Sequence, residues 1–281
     1  MLDVIIGPFD PPFMRRALAG CLILSIAAPP LGVFLVLRRM SLMSDVMQHG
    51  VLPGVAAGAA IAGLSVYAMG LGGIAAGVAV ALLAGWLSRR TGGREDSQLA
   101  GVYLIALASG VALVSAQPGV DLMHVLFGSI LAVDNATLLA MATATSVTLF
   151  GLAVIWRPLI LESLDPGFVA AVGGRGGVWH LAFLALVVLC VVSGFVALGT
   201  LMSVGLMMLP AIAARHWAAS LPGQVRVAVL LAMAASVLGL LLSFNLDLPA
   251  GPAIVLSAGA LWVGSLIAGP HASLLRHAVF R

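Results

Sequence analysis

The sequence predicts an all-α fold, a polytopic transmembrane helical bundle of roughly eight to nine spans. Three observations predict it. Hydrophobic residues make up 62% of the 281 positions and the mean hydropathy is +1.18, beyond the range of a soluble domain with one buried core. The apolar runs last about twenty residues, the length of helix that crosses about 30 Å of hydrocarbon. They are rich in Ala, Leu, Val and Gly without the alternation of barrel strands, so helices must satisfy the backbone amides within lipid.

In order, the expected spans cover roughly 14–37, 46–67, 69–88, 98–116, 134–156, 178–198, 200–217, 225–243 and 251–269. The breaks at 68–70 and at Gly199 are tight, and either can join a span to a re-entrant piece instead of a second span. The leading MLDVIIGPFDPPFMRR has no basic stretch ahead of its apolar residues and carries Pro8, Pro11 and Pro12, so it is not expected to be a cleaved signal. Between Asp121 and Asp134, DLMHVLFGSILAVD is too apolar for a solvated linker and too short to span comfortably, which predicts a half-helix or re-entrant segment carrying His124. The connection 157–178, RPLILESLDPGFVAAVGGRGGV, contains a short-helix signal, with Asp165 and Pro166 in N-cap and N1 order and Gly173 as the stop. It reads either as a docking element for a soluble subunit or as a surface turn. The whole chain, 1–281, is one transmembrane domain with 157–178 as a cytoplasmic segment within it.

All 13 basic residues are arginines, and they fall mainly in alternate connections, as the positive-inside bias predicts for cytoplasmic loops. Arg15 and Arg16 then lie on the outer side of a nine-span chain, a misfit that an eight-span count with a cytoplasmic N-terminus removes. So few cations make no patch for nucleic acid. Cys21 and Cys190 are expected to be buried and reduced. No GxxxxGK[ST] occurs, so any ATP hydrolysis must come from a partner, and no His-Glu-x-x-His pair marks a metalloenzyme.

The chemistry concentrates in 37–58, LRRMSLMSDVMQHGVLPGVAAG. Asp45 and His49 are four residues apart and share one face of a helix. Ionisable groups beside a lipid-soluble run read as an ion or proton pathway, or as a capped first turn of the second span. Imidazole with carboxylate suits zinc or manganese, and the lack of paired thiols argues against copper(I) or iron–sulfur chemistry. The four-residue spacings of Gly50, Gly54 and Gly58 and of Gly73 and Gly77 predict close helix packing. Met202, Met207 and Met208 are expected in the core. His180, His216, His271 and His277 are expected near cytoplasmic ends.

The stretch VLRRMSLMSDVMQHGVLPGVAAG resembles the region of the first two spans in ABC-type zinc/manganese permeases, where a basic pair leads to Ser, Asp, a His four residues on and a Leu-Pro-Gly turn. DLMHVLFGSILAV, LESLDPGFVAAVG, ALGTLMSVGLMMLPAIAARHWA and NLDLPAGPAIVLSAG resemble the family's later segments in the same order. The resemblance implies a homodimeric permease in the cytoplasmic (inner) membrane. It would be driven by cytoplasmic ATP-binding subunits and fed by an extracytoplasmic metal-binding protein, with no cofactor beyond the transported ion. It also implies likeness to the iron-siderophore and cobalamin permeases, and an iron-chelate or cobalamin cargo is the nearest alternative. An ion-coupled carrier without an ATPase is another. By position, Asp45, His49 and Asp247 would serve the metal path, with His124 an open candidate. Asp165, Pro166, Phe168, Ala170 and Gly173 would meet the ATPase, and 215–226 is a second candidate contact. The arginine bias places Asp45 near the cytoplasmic edge and Asp247 near the outer edge, so they either converge through a broken helix or serve different stages of passage.

Overall fold

The computed structural model describes residues 7–41, 43–63, 65–91, 95–116, 130, 133–171 and 176–271. Among them the regular structure is helical throughout. After a 3-10 turn at Gly7–Phe9 come α1 (Pro12–Leu37), α2 (Met43–Gly50), α3 (Leu52–Ala62), α4 (Val66–Thr91), α5 (Glu95–Ser115) and α6 (Asn135–Leu164). They are followed by α7 (Pro166–Ala171), α8 (Gly176–Leu198), α9 (Thr200–Ala214), α10 (Leu221–Leu246) and α11 (Ala250–Ala268).

Each expected span falls on helix, but among the described residues six helices, not eight or nine, are long and apolar enough to cross a membrane: α1, α4, α6, α8, α10 and α11. Of the three other expected spans, 98–116 gives a shorter apolar stretch, Ala100–Ser115, and the shortfall of the other two has local causes. The second expected span breaks at Val51 into α2 and α3, because Pro53 has no N–H to give the carbonyl of His49 four residues back. Helix α9 has 15 residues, about 22 Å at the α-helical rise, short of the hydrocarbon thickness. It follows α8 after a single residue, Gly199, whose φ of 93° lies where only glycine sits without strain. The hydroxyl of Ser203 then donates back to the carbonyl of Val191, so α9 folds against α8.

Helix α1 is the centre of the bundle, packed against α6, α8, α9 and α10 and buried on nearly all sides. Its Ser25 hydroxyl meets that of Ser236 on α10 at 3.0 Å, a polar tie between buried helices. Cys21 and Cys190 are buried and free, and Met202, Met207 and Met208 are buried in the core, as expected. The glycine stripe also packs as expected. A Cβ on Gly54 would fall onto the carbonyl oxygen of Gly72, and one on Gly58 onto that of Ala68, so α3 and α4 touch backbone to backbone. Helix α6 runs past the expected end at 156 to Leu164 with Pro158 inside it, which shortens the connection 157–178 to 165–175.

The C-terminal ends of α1 and α6 meet through Arg38 and Glu162, and those of α9 and α11 through His216 and His271. These ends form the arginine-bearing face. Arg15 and Arg16 stay at the opposite end, where Arg16 lies close enough to Asp134 to act on its carboxylate. That neighbour softens the misfit in the arginine bias.

Candidate functional site

Helix α2 is eight residues long and carries Asp45 in its first turn and His49 in its last. The carboxylate lies at the helix end that suits it, and the two side chains share a face, with His49 Nε2 3.7 Å from Asp45 Oδ1. That face is open: the Asp45 side chain is 56% exposed and that of His49 30%. The neighbouring stripe faces inward. Ser44 and Gln48 are buried, and neither Ser44 Oγ nor Gln48 Oε1 has a hydrogen-bond partner among the described residues. Helix α2 packs on α4, α5, α8 and α9, and the Asp45/His49 side stays accessible in the single chain. Pro53 also leaves the His49 carbonyl without its usual helical donor.

Asp247 sits elsewhere. It is exposed, ends α10 in the left-handed conformation at φ 51°, ψ 36°, and donates its N–H to the carbonyl of Ser243. Among the described residues no three His, Cys, Asp or Glu side chains gather closely enough to hold one metal ion, so a single chain does not bring Asp247 to Asp45 and His49. His124 lies outside the described residues. A cavity of about 300 Å³ opens between α4, α6 and α8, lined by Tyr67, Ile74, Met141, Val147, Leu189 and Val196. It is apolar and holds neither the acid nor the imidazole.

On the arginine-bearing face, α7 forms where the sequence places it. The Asp165 carboxylate accepts the N–H of Phe168 at 2.8 Å, a cap on the first turn. Phe168 is exposed, at 55%. Gly173, the expected stop, lies outside the described residues. Sequence reasoning missed Glu162, which it placed in a loop; the cue was Glu at the helical register of α6, hidden by Pro158.

The sequence model of the ABC 3 transport family matches residues 10–269. The chain belongs to the ABC 3 transport family. It is 30% identical over 278 residues to the manganese import system permease protein ScaB of Streptococcus gordonii, covering 99% of both chains. A probable iron transport system membrane protein of Haemophilus influenzae is 30% identical over 268 residues, covering 95% of this chain and 97% of that one. Among solved structures, PsaBC from Streptococcus pneumoniae in complex with Fab superposes with a TM-score of 0.86 at 29% identity, covering 99% of each chain. The expected family, the ABC-type divalent-metal permeases, is therefore the one to which the chain belongs, and this multi-pass membrane protein is a transport component, not an enzyme.

Proposed function

We propose that the chain is the membrane-spanning half of an ATP-driven importer that carries a divalent metal ion inward across the cytoplasmic membrane, with manganese the favoured cargo. The observation that carries this reading is the pairing of Asp45 with His49 on an open face of an interrupted helix. One imidazole and one carboxylate are too few to hold an ion. Two copies of the chain facing each other across a twofold axis would supply two of each, a four-donor set that suits manganese, zinc or iron(II). That incompleteness supports a homodimer. A site built this way lacks the closed thiolate cage of structural zinc and can let its ion go.

Asp247 then belongs to an earlier stage, as a carboxylate at the outer mouth where an extracytoplasmic metal-binding protein would deliver its ion. Asp165, Pro166, Phe168, Ala170 and Gly173 form the docking element for the ATP-binding subunit, with the exposed Phe168 ring as its apolar anchor. A carrier that needs no ATPase has nothing in its favour once the family is known. Iron remains a competing cargo, because a relative of equal identity is named for iron transport.

The test is ATP-dependent uptake by the reconstituted complex, with manganese, zinc and iron(II) compared. Asp45→Ala and His49→Ala should each abolish uptake while the protein accumulates normally. Unchanged uptake in either variant removes the metal-site reading.

A further inference from the structure

A carboxylate–imidazole contact and a buried ion pair flank one junction: His49 with Asp45 on α2, and Arg38 with Glu162 just before it. Arg38 is the residue that ends α1, and Glu162 lies in the last turn of α6. Arg38 Nη2 stands 3.3 Å from Glu162 Oε1, with the two side chains 11% and 10% exposed. The guanidinium also lies over the Phe183 ring of α8, 5.6 Å from its centroid. Phe183 in turn packs edge-on to Phe34, and Phe34 to Trp156 of α6.

A buried pair of this kind is a poor source of stability, because desolvation of the two charges offsets most of their attraction. Position gives it another use. Glu162 precedes Asp165, the cap of α7, by less than one helical turn. Arg38 is followed by Arg39, a non-glycine held at φ 60°, and then by α2 with Asp45 and His49. The N–H of Arg39 donates to the carbonyl of Val36 and that of Met40 to the carbonyl of Leu35, so this left-handed turn is held onto the last turn of α1 and moves with it. A Cβ added at Gly176, the first residue of α8, would meet both Glu162 and Val169 of α7, so the two side chains close on one spot.

We propose that the Arg38–Glu162 pair is the positioning link that carries movement of α7 to the Asp45/His49 face of α2. The inference rests on the importer reading above. Movement of α7 shifts the last turn of α6, the carboxylate of Glu162 draws Arg38 with it, and the turn at Arg39 and Met40, bonded to the end of α1, passes that shift to α2.

The experiment measures manganese(II) taken up per ATP hydrolysed by the complete complex in proteoliposomes. Arg38→Gln combined with Glu162→Gln removes both charges and leaves no lone buried ion, so this variant should accumulate and assemble as the wild type does. Its ATP hydrolysis should persist while the uptake ratio falls about fivefold or more. A purely structural pair would lower uptake and hydrolysis together with protein amount and leave the ratio unchanged, which overturns the link. Should the double variant fail to accumulate, Glu162→Asp keeps the charge but shortens the reach, and its ratio should fall about twofold. An unchanged ratio there overturns the proposal equally. Absence of ATP-driven manganese uptake by the wild-type complex would instead sink the importer reading itself.

Discussion

Asp45 and Asp247 are both carboxylates at helix ends, matched by the same family resemblance to a metal path, yet the fold uses them differently. Asp247 occupies a left-handed turn at the end of α10, a conformation in which Asp, Asn and Gly are the ordinary residues, and the chain geometry alone accounts for it. Asp45 lies in the first turn of a regular helix, where an acid is favoured but not required, faces His49 at 3.7 Å, and is exposed beside the buried Ser44 and Gln48. The difference teaches that a carboxylate explained by its own turn needs less functional account than one that its helix does not require.

The largest effect that can break this comparison is in uptake. Asp45→Ala and His49→Ala should each lower manganese transport by more than about tenfold at equal protein amount, as loss of a ligand from a small donor set does. Asp45→Asn keeps the shape and removes the charge, and it should fail nearly as badly. Equal losses at Asp45 and Asp247 would erase the distinction between them.

Next in size is packing beneath the site. Gly54→Ala places a methyl group onto the carbonyl oxygen of Gly72, so α3 and α4 must part, at a cost of about 1–3 kcal/mol. Gly101→Ala, in α5 with nothing near the new methyl group, should instead raise stability by up to about 1 kcal/mol. Thermal midpoints of the detergent-solubilised protein compare the two, and a Gly54→Ala protein as stable as wild type would refute the backbone contact.

The all-α class was legible because hydrocarbon thickness sets the length of the apolar runs, whereas the span count of eight to nine was not matched by the six helices of spanning length among the described residues. The face shared by Asp45 and His49 followed from helical spacing. The break at Val51 was missed although Pro53 announces it, because a span-length window averages over one proline. Gly72, the true partner of Gly54, stood one residue outside the noted Gly73/Gly77 spacing, and no single-chain pattern names the partner of a glycine. Glu162 was hidden for a related reason. Helix α6 continues through Pro158, and a rule that ends helices near prolines placed this residue in a loop.

A smaller effect separates backbone from carboxylate at Asp247. Asp247→Gly keeps the left-handed turn and removes the acid, whereas Asp247→Ala disturbs the turn by about 1 kcal/mol. The glycine variant should be at least as stable as wild type, with maximal manganese uptake unchanged and the apparent KM raised. A drop in maximal uptake for the glycine variant would move Asp247 from the outer mouth into the transport step.

The smallest effect belongs to Asp134, at the start of α6. Its carboxylate accepts the N–H of Thr137 at 2.8 Å, and that bonding to Thr137, with a lesser contribution from Arg16, lowers its pKa below the ordinary value of 3.8. A carboxylate with a depressed folded-state pKa stabilises the fold above its unfolded value, and this contribution disappears as pH falls through the folded value. Asp134→Asn retains a capping oxygen without a titrating charge. The thermal midpoint of wild type should therefore exceed that of Asp134→Asn slightly at neutral pH, and the gap should close as pH drops below about 4. A gap that is constant across that range would show that Asp134 acts through its cap geometry alone. Its resemblance to Asp247 would then be closer than the two helix ends imply.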